Sequence, residues 1–194
     1  KTVRKIAVSR YVGVILIAIF LGYLSSIPAL MTFYDATITK QRTLTPNSQE
    51  VMKQLKGGLS VTTYVNLLEP NYEAGLPKNM NRDKRLFRKY IRFKPEIEMK
   101  YVYYYDFAPN GVANNPKFQG KTVDEMRDYM TMIYNLNPHL FKSPEEIRQI
   151  IDLREEQNTF VRIMETQDGK RTFIRDFEDM DATPSEAEIT AAIK

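Results

Sequence analysis

The chain contains one histidine and no cysteine, so its capacity for metal binding and nucleophilic catalysis is small. His139 follows Asn137 and Pro138, a pattern that predicts a turn between two helices. No second metal-ligating residue lies at helical spacing from it, and we interpret His139 as a surface or capping histidine. The lack of cysteine excludes disulfides, thiol nucleophiles and thiolate metal sites.

Other groups of polar side chains also fit structural roles better than catalytic ones. Four carboxylates lie close together in residues 176–181, but apolar residues interrupt the spacing of a calcium loop, which favours a solvated acidic loop. Tyr101, Tyr103 and Tyr105 alternate along a predicted strand, which favours core packing over a stacking surface for sugars or bases. We predict no enzymatic activity and no catalytic, cofactor-binding or metal-binding residues.

Residues 11–34 carry no formal charge, and about 20 such residues are enough to cross a membrane as a helix. Residues 1–10 hold four basic side chains and no acidic one. The positive-inside rule then predicts a cytoplasmic basic flank over 1–10, a transmembrane helix over 11–34, a connector over 35–44 and an extracytoplasmic domain over 45–194. The alternatives are a signal peptide cleaved near Ala29 and a buried core helix.

Small residues recur on one side of this predicted transmembrane helix. Ala18 and Gly22 are four residues apart, and serines follow one turn later. Small side chains let helices approach closely in a bilayer, so the pattern predicts packing against other transmembrane helices through Gly13, Ala18, Gly22, Ser25 and Ser26. The alternative is that glycine and serine are simply frequent in such helices.

The distribution of charge argues against a nucleic-acid partner. The formal charge of +4 comes from the N-terminal flank, whereas nucleic-acid binding needs positive charge clustered on a folded surface. Within the predicted domain, basic residues predominate between Lys78 and Lys100, and acidic residues predominate after Ser143. Solvated helix faces explain this segregation. The alternative is a basic surface facing anionic lipid or an acidic partner, formed by Arg82, Lys84, Arg85, Arg88, Lys89 and Arg92.

Helices and strands alternate along the predicted domain. Apolar periodicity and capping residues predict helices that begin near residues 45, 81, 122, 143 and 183. Alternating residues predict strands over 59–65 and 96–107, and a hairpin over 160–177 with a type I′ turn at Asp168 and Gly169. This order predicts an α/β layer structure with a mixed sheet.

Residues 40–65, with Leu44, Thr45 and Pro46 before a helix and a Val-Thr-Thr-Tyr strand, resemble the gliding-motility-associated auxiliary components of ABC-2-type transporters. The closing Glu-Ile-Thr-Ala-Ala-Ile segment, residues 188–193, resembles the end of the first extracytoplasmic domain in that family. The resemblance implies a thioredoxin-like sandwich without redox cysteines, which a second α/β domain and further membrane helices would normally follow.

The same resemblance implies a function and a location. Its members act beside a permease and a cytoplasmic ATPase, which implies a non-catalytic, membrane-anchored component of an ABC-2-type transport system. The implied location is a bacterial inner membrane, with the N-terminus in the cytoplasm and the domain in the periplasm. The partners would be the permease, the ATPase and the lipid bilayer, with no cofactor. The alternative is a stand-alone anchored sensor or ligand-binding domain.

Overall fold

Four strands form one mixed sheet in the computed structural model, which describes residues 2–27, 42–174 and 183–194. The sheet has the order β2-β1-β3-β4, where the strands are β1 (Leu59–Asn66), β2 (Ile97–Tyr104), β3 (Val161–Thr166) and β4 (Arg171–Ile174). β1 and β2 are parallel, whereas β3 is antiparallel to both β1 and β4. The predicted α/β fold with a mixed sheet is confirmed.

Eight α-helices lie in the described part of the chain. They are α1 (Thr2–Ser26), α2 (Pro46–Gln54), α3 (Tyr72–Gly75), α4 (Met80–Leu86), α5 (Arg88–Phe93), α6 (Val123–Ile133), α7 (Pro144–Ile150) and α8 (Glu186–Ile193). The chain divides into two units, Lys1–Thr43 and Leu44–Lys194, and the sheet belongs to the second.

The predicted helix starts depend on capping side chains, and the structure shows these caps. The Thr122 hydroxyl accepts the N–H of Glu125, whose carboxylate accepts the Thr122 N–H in return. Ser143 and Glu146 form the same capping box at α7. Because these caps satisfy N–H groups that a helix start leaves unpaired, the short sequence patterns fix where the helices begin.

The helix predicted from residue 81 to residue 93 is not continuous. It is divided at Phe87, whose ψ of −1° departs from the value of an α-helix. The Phe87 side chain is buried beside the break. The break does not separate the apolar residues, because Leu86, Phe87, Tyr90 and Ile91 all pack against the same cluster around Val61.

The predicted hairpin is present, but its turn is not type I′. A type I′ turn needs positive φ at both central residues, and only Gly169 has it, with φ of +83°. The Asp168 carboxylate accepts a hydrogen bond from the Thr166 hydroxyl, and the Gly169 N–H donates to the Thr166 carbonyl at 2.9 Å. These contacts hold a right-handed turn, and Gly169 follows it as the left-handed residue of a longer loop.

The helix predicted to span the membrane corresponds only in part to α1. The unit Lys1–Thr43 contains α1, which ends at Ser26, and residues 28–34 of the predicted span lie outside the described residues. Across the ranges that the structure describes, no helix combines the length and the apolar character needed to cross a membrane. The transmembrane prediction is therefore not supported by α1 alone.

The two faces of the sheet carry different side chains because residues alternate along each strand. One face holds two apolar clusters, the first around Val61 with residues of α2 and α8, the second around Val65 with residues of α3 and α6. Tyr64 and Tyr104 lie on the other face with Ile147 of α7. The predicted core packing of Tyr103 and Tyr105 is confirmed, whereas Tyr101 is half-buried. Tyr104 is buried on the opposite face, and this burial was not predicted.

Candidate functional site

A row of polar side chains crosses the middle of the sheet, between the two apolar clusters. Thr63 of β1 pairs with Tyr101 of β2 on one side and with Arg162 of β3 on the other, so the three share one face. Thr63 and Arg162 are buried, and within the described part of the chain the Thr63 hydroxyl has no hydrogen-bond partner. Polar residues in such a position need partners from the layer above them.

Asp83 of α4 supplies partners for Arg162 and Tyr101. Its Oδ1 accepts a hydrogen bond from Arg162 Nη2 at 2.6 Å, and its Oδ2 accepts one from the Tyr101 hydroxyl at 2.7 Å. The side chains of Asp83 and Arg162 are each 2% exposed. Burial and the acceptor Asp83 together raise the pKa of Tyr101, so its hydroxyl stays protonated and remains a donor. The arrangement is a buried ion-pair network with a structural role, and it does not include the Thr63 hydroxyl.

A second polar group lies where β1 and β2 end. Asn66 uses its whole amide: Nδ2 donates to the carbonyls of Asp106 and Asn158, each at 2.9 Å, and Oδ1 accepts the N–H groups of Leu68 and Asp106, each at 3.1 Å. The Asp106 carboxylate accepts a hydrogen bond from Arg148 at 2.8 Å. Asn66 therefore fastens the loops after β1, after β2 and before β3 to one another.

Glu69 lies three residues beyond Asn66 and lines a cavity of 670 Å³. The residue is only 1% exposed, and its Oε1 has no hydrogen-bond partner among the described residues. Burial raises the pKa of Glu69 from 4.5 to about 7, while hydrogen bonding by the backbone of Asn71 and Phe160 acts in the opposite direction. A buried carboxyl group beside a cavity is the most chemically distinctive feature of the domain.

The six predicted basic residues lie on α4 and α5. Five of them are exposed: Arg82, Lys84, Arg85, Arg88 and Arg92. Lys89 differs because it is half-buried and pairs with Glu186 of α8 at 3.1 Å. Glu186 also accepts the N–H of Thr45 at 2.7 Å, so Lys89 connects α5 to the starts of α2 and α8. The candidate basic surface thus consists of five side chains, and Lys89 has a structural role.

The small residues predicted for helix packing lie on α1 and are accessible. Ala18, Gly22, Ser25 and Ser26 are exposed, and Gly13 is intermediate. A Cβ atom added at Gly13 or at Gly22 would meet no atom within 4 Å. The hydroxyls of Ser25 and Ser26 donate to the Gly22 carbonyl, at 2.9 Å and 2.8 Å. Because these serine hydroxyls form their hydrogen bonds within the helix, no unpaired hydroxyl on this side of α1 would hinder close packing against another helix.

The other candidates for chemistry have little support in the structure. His139 lies in the exposed turn Pro138–Leu140, where its N–H donates to the side chain of Asn137. The four carboxylates at residues 176–181 lie outside the described residues. In the ranges that the structure covers, no group of three or more histidine, cysteine, aspartate or glutamate residues is arranged to hold a metal ion.

Sequence reasoning missed Glu69, Asp83 and Arg162. A signal for Arg162 does exist, because alternation along the predicted hairpin places it on the same face as Phe160 and Met164, which are apolar. A charged residue on an apolar face predicts a buried ion pair, but the pattern does not identify its partner. Glu69 directly precedes Pro70, a residue typical of loops, and no sequence pattern there indicates that Glu69 is buried.

Geometry and chemistry together define a mixed α/β domain with a buried ion-pair network and an acid-lined cavity at one end of its parallel strands. Comparison of the chain with protein-family models, with curated proteins and with solved structures found no match.

Proposed function

We propose that this chain is a non-catalytic, membrane-anchored component of an ABC-2-type transport system in a bacterial inner membrane. Its N-terminus would lie in the cytoplasm, and Leu44–Lys194 would lie in the periplasm. It would contact the permease within the membrane and, through the permease, the cytoplasmic ATPase.

The observation that carries this proposal is the exposure of apolar side chains all round α1. Tyr11, Val14, Ile17 and Phe20 are among its residues that are at least 59% exposed. Water does not stabilise so much uncovered apolar surface, whereas a bilayer or other apolar helices would cover it. Since no described helix suffices for a span, the proposed anchor is the whole uncharged run of residues 11–34.

The form of the second unit is consistent with a thioredoxin-like domain that lacks redox chemistry. Thioredoxin-like domains join a parallel βαβ unit and an antiparallel hairpin with a final helix in one sheet, and the order β2-β1-β3-β4 followed by α8 fits that description. The chain has no cysteine for thiol exchange. A domain of this kind would serve to bind partners or cargo.

A second candidate function is a stand-alone anchored sensor or ligand-binding domain. The cavity beside Glu69 favours it, because ligand sites commonly lie at the carboxyl ends of parallel strands. The two candidates differ in whether α1 has protein partners in the membrane.

Co-purification from mild detergent tests the first candidate. The permease and the ATPase should be recovered with the parent chain, and much less with the double variant Ala18→Leu and Gly22→Leu. Because a Cβ at Gly22 meets nothing within 4 Å, this change would not disturb α1 itself. The matched control, Ile17→Leu with Ile19→Leu, should retain both partners.

Two results would count against the proposal in different ways. If the double variant retains the permease and ATPase as well as the parent does, α1 serves as an anchor without specific packing. If the parent recovers neither partner, the transport function is wrong and the ligand-binding alternative is favoured.

A further inference from the structure

We propose that the free edge of β2 is an interface through which two copies of this chain pair, so that their sheets join as one. The two β2 strands would run antiparallel, with Met99 of one copy opposite Met99 of the other. This inference goes beyond the proposed function and does not depend on it.

β2 lies at one edge of the sheet, with β1 as its neighbour on the inner side. The backbone groups of a strand alternate between its two sides, so every second residue has outward N–H and C=O groups. Tyr103 and Tyr105 face outward, because the Tyr103 carbonyl accepts the N–H of Lys142 at 3.0 Å and the Tyr105 N–H donates to the carbonyl of that residue at 3.1 Å. By the same alternation, the backbone groups of Met99 and Tyr101 also face outward.

Lys142 covers only the end of this edge. Between Ile97 and Tyr101, the outward backbone groups of Met99 and Tyr101 form no hydrogen bond with any other described residue. The Ile97 N–H differs, because it donates to the Lys94 carbonyl at 3.3 Å. Unpaired N–H and C=O groups in a row are the feature through which an edge strand pairs with another strand.

The edge strand β2 is regular over its whole length. It pairs with β1 residue for residue from Ile97 to Tyr104, without a bulge, and it contains no proline or glycine. Edge strands that stay unpaired are commonly short, bent by a bulge, interrupted by proline or blocked by lysine. Lys100 is the one such feature of β2, and a carboxylate opposite it would make it an attractive contact instead.

The charges of β2 make it complementary to a second copy of itself. Glu98 and Lys100 lie on the same face, where their side chains are 66% and 52% exposed and their charged groups are 3.0 Å apart. With Met99 opposite Met99 in an antiparallel pair, Lys100 of each copy lies opposite Glu98 of the other. Opposite charges at directly facing positions stabilise a sheet, and this arrangement has two such pairs.

Other registers of the two strands are less favourable. A shift of two residues places Lys100 opposite Lys100 in one direction, or Glu98 opposite Glu98 in the other, and facing like charges destabilise a sheet. A shift of one residue sets the outward backbone groups of one strand against residues whose groups point inward. The charges and the backbone therefore select the register centred on Met99.

This register also uses the whole free edge. Met99 is the middle residue of the stretch from Ile97 to Tyr101, so the stretch pairs with itself from end to end. The Met99 residues of the two copies would exchange backbone hydrogen bonds, and each Tyr101 N–H would donate to the Ile97 carbonyl of the other copy. On the face opposite the charges, Met99 and Tyr101 are only partly buried, and the second copy would cover more of their apolar surface.

Light scattering of a dilution series of the full chain in a mild non-ionic detergent tests this interface. The parent should be a dimer at about 0.1 mM, because the dissociation constants of stable protein interfaces are micromolar or tighter. Glu98→Lys sets lysine opposite lysine, and Lys100→Glu sets glutamate opposite glutamate, so each change should weaken dimerisation roughly tenfold or more. An equal mixture of these two variants should regain the dimer, because opposite charges then face each other across the two different copies.

Disulfide formation tests the register itself. Because the chain has no cysteine, Met99→Cys introduces a single thiol. In the proposed register the two Cα atoms of residue 99 are about 5.5 Å apart, a distance that a disulfide can bridge, so mild oxidation should link the two copies. Arg171→Cys, on the other edge strand β4, should form no such link. Arg171→Glu, an exposed change on the same strand, should leave dimerisation unchanged.

Several results would overturn this interface. One is a parent chain that is monomeric at about 0.1 mM. Another is dimerisation of Glu98→Lys and Lys100→Glu as tight as that of the parent, which would place the contact elsewhere, for example on α1. Failure of the mixed variants to regain the dimer, or a disulfide link through Arg171→Cys but not through Met99→Cys, would also contradict pairing through β2.

Discussion

Arg162 and Asp83 are 79 residues apart in the sequence and form an ion pair of 2.6 Å in the interior of the domain. Arg162 lies on β3, and Asp83 lies on a short helix that covers the sheet. The pair joins the connection between the parallel strands to the hairpin. Its loss should therefore affect the stability of the whole domain.

The first prediction concerns this pair. Asp83→Ala should lower the free energy of unfolding by about 3–5 kcal/mol, because it leaves the Arg162 charge buried. The double variant Asp83→Leu and Arg162→Met should recover most of the loss, since both charges are then removed. Urea unfolding of a fragment covering residues 42–194, followed by circular dichroism, measures both effects.

A matched control is the exposed pair of Asp152 and Arg154, where Asp152→Ala should have little effect on unfolding. If Asp83→Ala has as little effect as Asp152→Ala, the buried pair does not stabilise the domain.

The second prediction concerns the effect of pH through Glu69. Burial raises the pKa of Glu69 from 4.5 to about 7, so the folded state holds this proton more tightly than the unfolded state does. The stability contributed by Glu69 is then complete below pH 4.5 and is lost as the pH rises through 7. The total change corresponds to about 3 kcal/mol.

Glu69→Gln has no titratable group at this position, so the pH dependence due to Glu69 can be measured as the difference in free energy of unfolding between this variant and the parent. The free energy of unfolding of Glu69→Gln minus that of the parent should increase by up to about 3 kcal/mol between pH 4.5 and pH 8. Tyr104 and Glu156 are titratable groups in the same region and are present in both proteins. Their contributions to the difference in free energy of unfolding therefore largely cancel. A difference that does not vary with pH would contradict the raised pKa of Glu69.

The third prediction concerns the basic residues on α4 and α5. If they face anionic lipid, the fragment of residues 42–194 should bind phosphatidylserine vesicles more weakly as salt increases, because each basic residue contributes about 1 kcal/mol that salt screens. Arg85→Glu with Arg88→Glu should abolish this binding, whereas Lys117→Glu, an exposed change elsewhere, should preserve it. Equal binding to neutral vesicles would support the simpler interpretation of solvated helix faces.

The fourth prediction concerns topology. Because the chain has no cysteine, Asn115→Cys places a single thiol at an exposed position of the second unit. A membrane-impermeant maleimide should label this thiol in spheroplasts, in which the outer membrane no longer protects the periplasmic side. Labelling that requires lysis would place the domain in the cytoplasm and reverse the proposed orientation.

The fold was predictable where short sequence patterns determine local structure. Capping boxes at Thr122 and Ser143 located two helices, and the Asp168-Gly169 pair located the hairpin. The type of turn was not predictable, because it depends on a hydrogen bond between the side chains of Thr166 and Asp168.

The candidate site was less predictable because it depends on distant residues. In the sequence, Asp83 does not differ from any other polar residue of a basic helix. Its role follows from tertiary contacts with Arg162 and Tyr101 of the sheet. Glu69 lies in a segment that resembles a solvated loop, yet the folded domain leaves it only 1% exposed. Burial of single polar residues is set by tertiary packing, which local periodicity does not encode.

The most direct test of the proposed membrane anchor is whether the full chain stays in the membrane fraction after an alkaline carbonate wash. The parent should remain in the membrane pellet. Leu16→Arg with Phe20→Arg should move the chain to the supernatant, because each charge near the middle of a span costs about 2.5–3.5 kcal/mol. Leu16→Ala with Phe20→Ala should stay with the membrane. Release of the parent chain by carbonate would contradict an integral anchor over residues 11–34.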